Sequence, residues 1–221
     1  MMKRLLSMAA IAALVLTNAT AQVLYDQAYD GTSSGAVAQD FTDFPNFSTY
    51  EFDDFTVGAP GWIVTRVTIP GTERGNSNFT TSLELRILDA PSASATVVAS
   101  ATVSPAAGHG PNLVFGDGVN PLFTLTPGNY WISAWVRRPF GGGGGQWFWL
   151  RTTPVSGSQH FFHNPGGGFG VGNNPVPGQN VFGSAADLSF RIEGVLIPEP
   201  ASMIALGAGL AGLLALRRRK K

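Results

Sequence analysis

Between residues 22 and 196 the apolar residues fall into short runs. A glycine, proline or asparagine turn closes each run before a helix of several turns can form. That punctuation leaves strands as the only regular structure the segment can build repeatedly. Residues 81–88 show the pattern best: Leu83, Leu85 and Ile87 alternate with Glu84 and Arg86, as a strand with one buried face requires. Residues 51–57 end at Gly58-Ala59-Pro60-Gly61. Residues 62–69, with Ile63, Val67 and Ile69 on one face, end at Pro70-Gly71. Residues 95–103, 121–126, 130–136, 146–151 and 159–163 continue the series. Residues 188–195 close it, with Leu188, Phe190 and Ile192 opposed to Ser189, Arg191 and Glu193. The expected body is all-β, a single β-sandwich domain over residues 22–196. About 175 residues suffice for one domain with its own core. The chain has no cysteine, so that core has no disulfide to support it.

The two ends differ in kind from the body. Residues 1–21 open with Lys3 and Arg4, continue through an apolar run and finish on Ala19-Thr20-Ala21, a small-x-small site, so a signal peptide is expected with cleavage after Ala21. Signal peptidase is the partner this implies. At the other end, Ile197-Pro198-Glu199-Pro200 precedes an uncharged run over residues 201–216, and Arg217, Arg218, Arg219, Lys220 and Lys221 finish the chain. Sixteen helical residues span roughly 24 Å, slightly short of a ~30 Å hydrocarbon core. A transmembrane helix is expected there, its cationic end acting as a membrane stop on the cytoplasmic side. The two prolines keep the preceding segment out of the helix and within reach of a protease.

Pro198-Glu199-Pro200, a short span and an arginine-rich end, in that order, resemble the PEP-CTERM sorting signal of Gram-negative bacteria. The resemblance covers residues 197–221 and departs from the family at Ile197, where valine is frequent. It implies cleavage by exosortase, a transpeptidase of the inner membrane. It also implies export to the cell surface or the extracellular polymer matrix, in association with exopolysaccharide and biofilm. The order of strands before the tail looks like the jelly-roll-type sandwiches often found ahead of this signal.

Charge narrows the partners. The whole chain balances 14 basic against 14 acidic side chains, but the signal and the tail carry Lys3, Arg4 and the five terminal cations. The body keeps only arginines as cations and is strongly negative, which argues against nucleic acid. Aromatic residues offer one binding surface. Trp131 and Trp135 lie on one expected strand, and Trp147 and Trp149 on the next. The even spacing lets each pair share a face, either stacking on sugar rings as an exposed hairpin or filling the core. Carboxylates gather early, at Asp26, Asp30, Asp40, Asp43, Asp53 and Asp54. Asp53 and Asp54 are the candidates for a structural Ca2+, with solvated turn residues as the alternative, and no cofactor is expected. His160 and His163 point to opposite faces of a strand and lack further zinc ligands. No Gly-x-Ser-x-Gly elbow occurs, so the expectation is a non-enzymatic protein, with a carbohydrate-binding module and a secreted glycan hydrolase as alternatives. Gly141–Gly145 and the Gly/Pro/Asn-rich residues 164–180 are expected to be mobile loops.

Overall fold

The computed structural model describes residues 20–104 and 106–198, with Gly207 and Gly209 beyond them in helical backbone. The strands are β1 (Gln22–Gln27), β2 (Gly35–Val37), β3 (Gln39–Phe41), β4 (Tyr50–Val57), β5 (Trp62–Ile69), β6 (Gly71–Arg74), β7 (Ser82–Leu88) and β8 (Val97–Val103). They continue as β9 (Leu113–Phe115), β10 (Phe123–Leu125), β11 (Gly128–Arg138), β12 (Gln146–Thr152), β13 (Phe161–His163), β14 (Val176–Pro177), β15 (Asp187–Leu188) and β16 (Phe190–Leu196). A four-residue helix, α1 (Gln179–Phe182), lies between β14 and β15. Among the described residues no helix is long and apolar enough to cross a membrane. Apart from Ile197, Pro198, Gly207 and Gly209, the tail lies outside the described residues, as do residues 1–19 of the expected signal peptide.

The strands form a sandwich-like body of antiparallel sheets. A seven-stranded sheet runs β14-β13-β4-β11-β7-β8, with β3 added in parallel to β11. A five-stranded sheet runs β1-β16-β5-β10, with β9 also on β5. A third sheet gathers β15, β2 and β6 around β12. One core joins all three: Phe55, Leu85 and Ile132 from the first, Val64, Phe115 and Ile192 from the second, Trp147, Trp149 and Leu188 from the third. Phe55 meets both Trp62 and Phe190 across the gap, at centroid distances of 6.1 and 5.9 Å.

The alternation of β7 falls as expected, Leu83, Leu85 and Ile87 inward. On β5 it does not. The pairing of β5 with β16 slips at Thr65, a bulge that reverses the inward face. Trp62 and Val64 are buried before it and Val67 and Ile69 after it, so Ile63 is not an inward residue. The five glycines are also not a loose hairpin loop. Asp43 accepts hydrogen bonds from the Phe140 and Gly141 amides, both at 2.8 Å, and Gly143 accepts from the Asn76 amide at 3.1 Å. Gly145 sits at φ +68°, where a Cβ would overlap the Arg74 carbonyl. The loop is a built crossing: it carries the chain from β11 in one sheet to β12 in another, and the two strands do not pair.

Candidate functional site

The sorting junction is continuous with the fold. Strand β16 pairs with β5 as far as Leu196 opposite Trp62, and the Ile197 amide still donates to the Gly61 carbonyl at 2.9 Å. Pro198 follows at once, so no spacer separates the central strand of a sheet from the Pro-Glu-Pro segment. Glu199, Pro200 and the cations Arg217 to Lys221 lie outside the described residues, as does Ala19; Ala21 directly precedes β1.

The tryptophans divide. Trp147 and Trp149 are 0 % exposed and belong to the core, which corrects their reading as half of an exposed sugar-stacking hairpin. Both indoles have their N–H accepted, by the Pro111 and Ser189 carbonyls at 2.7 Å each. Trp147 fits because Gly71 on the neighbouring strand β6 has no side chain: a Cβ there would run into the indole. Trp131 and Trp135 instead share the outer face of the seven-stranded sheet. Trp131 meets Phe161 edge-on at 5.5 Å, and Trp135 meets Tyr50 edge-on at 4.9 Å.

Asp53 and Asp54 are not brought together. They are consecutive on a strand, so they project to opposite faces. Asp54 accepts from the Ser158 amide at 2.9 Å on the outer side. Asp53 turns inward and accepts from the Leu188 amide and the Gln27 side chain, at 2.6 and 2.8 Å. The other early acids staple loops: Asp30 accepts from Thr32, Ser33 and Thr153, and Asp43 holds the glycine crossing. Among the described residues no group of three His, Asp or Glu is arranged to hold a metal ion.

The inner side of β4 carries a buried ionisable cluster that sequence reasoning missed. Glu51 is fully buried and neither of its oxygens has a hydrogen-bond partner; burial pushes its carboxyl well above the usual range, with Arg151 opposing. His160 lies 3.7 Å away through Nε2 and donates from Nδ1 to the Ala186 carbonyl at 2.7 Å. Burial pushes His160 down to about 4 and Asp187 up to about 6. Asp53 is raised by burial and then by Asp187. Arg151 bonds Ser34 and lies over Phe182 at 4.5 Å. Glu51, Asp53, His160 and Asp187 are all closed to solvent. The signal for it was available: with Tyr50 and Phe52 on one face of β4, Glu51 and Asp53 must share the other.

Residues 196–220 match the PEP-CTERM protein-sorting motif, which marks an exported protein for exosortase-dependent sorting through a membrane-anchored intermediate. No curated protein and no solved structure matches the chain.

Proposed function

We propose that the chain is an exported, non-enzymatic protein of a Gram-negative bacterium, a single jelly-roll-like sandwich between two processing signals. Signal peptidase removes residues 1–21, and the mature chain begins at Gln22. A transmembrane helix over residues 201–216, stopped by Arg217 to Lys221, holds the body outside the inner membrane. Exosortase then cuts near Pro198-Glu199-Pro200 and passes the body to the cell surface or the polysaccharide-rich biofilm matrix. The observation that carries this reading is the sorting motif at 196–220, which begins on the last residue of β16. Because the strand runs into the motif, the folded body sits against the membrane face during cleavage. No cofactor or nucleic acid belongs to this reading.

The test is fractionation and intact mass in the native host. Wild-type protein is expected to lose residues 201–221 and leave the membrane fraction. Glu199→Ala is expected to accumulate as a longer, membrane-bound form. Retention of the full tail in wild type, indifferent to Glu199, would reduce the protein to a single-span surface protein. A second reading, glycan binding, is favoured by the aromatic outer face that carries Trp131 and Trp135.

A further inference from the structure

The outer face of a sandwich sheet is ordinarily the solvated, polar one. On the seven-stranded sheet it is aromatic and concave. Tyr50 and Phe52 of β4, Arg86 and Leu88 of β7, and Ser133 and Trp135 of β11 line a groove of about 260 Å3 beneath the turn between β7 and β8. Typical pockets for drug-sized ligands hold ~300–1,000 Å3. This one suits a single sugar ring.

Two of its polar groups, Ser133 and Arg86, lack partners of the kind the fold provides elsewhere. Ser133 is 1 % exposed and its hydroxyl has no hydrogen-bond partner. Buried hydroxyls are ordinarily satisfied, so an orphan on a groove wall points to a ligand or water that completes it. Arg86 lies over Trp135, its guanidinium 5.0 Å from the ring centroid, and no carboxylate pairs with it among the described residues. The acids on the surrounding strands are engaged. Glu84 accepts from Ser82 and Thr102, Asp40 pairs with Arg137 at 3.4 Å, and Asp54 accepts from Ser158. His163 closes one side; its Nε2 is 3.1 Å from the Asn173 carbonyl, and burial pushes the ring's pKa down.

We propose that this groove binds an acidic pyranose, a sugar ring bearing a carboxylate, within an extracellular polysaccharide. The apolar walls at Tyr50, Phe52 and Leu88 match the C–H face of a pyranose. Ser133 meets a ring hydroxyl. Arg86 takes the carboxylate through its planar fork, held ready by the indole beneath it. The negative charge of the body does not prevent this, because salt screens it beyond about 8 Å under physiological conditions while the Arg86 contact is direct. The proposal deepens the glycan-binding reading and takes from the export reading only the place where such a polymer is met.

The test is titration calorimetry of the full chain in non-ionic detergent with trigalacturonic acid, and with its fully methyl-esterified form as the uncharged control. The acid is expected to bind about tenfold more tightly than the ester at low salt, with the gap closing at high salt. Arg86→Gln should erase the gap. Ser133→Ala should weaken both ligands about five- to tenfold without lowering the melting temperature, because it removes a hydroxyl the fold leaves unsatisfied. Equal affinity for acid and ester overturns the assignment of Arg86. Absence of binding to both at millimolar ligand, or unchanged affinity in Ser133→Ala, overturns the groove itself. Binding is read on purified protein, so a failure here is separate from any failure of tail processing in the host.

Discussion

Strands β11 and β12 each carry two tryptophans at even spacing, and the fold uses the two pairs in opposite ways. On β11, Ile132, Ala134 and Val136 go inward; Trp131 and Trp135 lie on the other face, Trp131 half-buried and Trp135 buried against Tyr50 and Arg86. On β12, Trp147 and Trp149 go inward, and Phe148 and Leu150 are left half-buried on the far side. Even spacing fixes that two residues share a face, and nothing in it says which face. What decides is the room and the partners on each side. Inside β12 the bare backbone of Gly71 leaves space for one indole, and the Pro111 and Ser189 carbonyls accept both N–H groups. Inside β11 the neighbouring strands β4 and β7 bring Phe55, Leu85 and Ile87, which fill the space with medium-sized side chains.

The largest expected effect tests the inner pair. Trp149→Ala opens a cavity and frees the Ser189 carbonyl, so it should cost about 3–5 kcal/mol, measured by urea unfolding. A cost near that of an exposed-site substitution would mean that β12 presents its other face to the core.

Ionisable groups divide between inside and outside as the tryptophans do, which gives a pH prediction. Asp187 faces inward and its carboxyl is raised to about 6. Its contribution to stability is therefore full below its ordinary range near 3.8 and lost as pH rises through about 6. His160, lowered to about 4, acts oppositely: its contribution is present above 6.5 and lost as pH falls through about 4. Glu51 and Asp53, both raised, add to the trend of Asp187. Asp187→Asn keeps an acceptor for the Ser156 amide and removes the first trend. The variant should gain about 1–2 kcal/mol on wild type at about pH 7.5 relative to about pH 5, read from melting curves. A gain independent of pH would mean that Asp187 titrates normally and that the cluster is open to water.

Trp131→Ala is the outer counterpart. Trp131 is half-buried, and it should lose mainly its edge contact with Phe161, about 1 kcal/mol. Equal costs at 131 and 149 would erase the distinction between the strands. How much of this was legible in the sequence follows the same line. Strands β4, β5, β7, β11 and β16 are long enough for their alternation or flanking turns to show. Strands β2, β3, β6, β9 and β14 have two to four residues each, too few to display a period. The glycine run reads as a hairpin turn because five glycines fit any turn; that it joins different sheets depends on Asp43 and Asn76, distant in sequence. The sorting motif at 196–220 was legible, since its parts stand in linear order. The groove was not, because Arg86, Ser133 and Tyr50 meet only through the pairing of three strands.

The smallest expected effect lies on β5, where the sequence pattern and the fold disagree most closely. Simple alternation back from Val67 and Ile69 puts Ile63 inside, and the bulge at Thr65 puts Val64 there instead. Val64 is fully buried in the core and pairs with Phe123 of β10, whereas Ile63 is partly exposed and pairs with Thr124. A threonine at 63 can leave its hydroxyl in water and keeps the β-branched shape a strand favours, so Ile63→Thr should cost under about 1 kcal/mol. The same change at Val64 buries a hydroxyl among apolar groups and should cost about 1–3 kcal/mol. Thermal melts of the two variants side by side separate the cases. If Ile63→Thr is the more damaging, the bulge is absent, β16 pairs with β5 in a single register, and the strand leading into the sorting junction presents the opposite face.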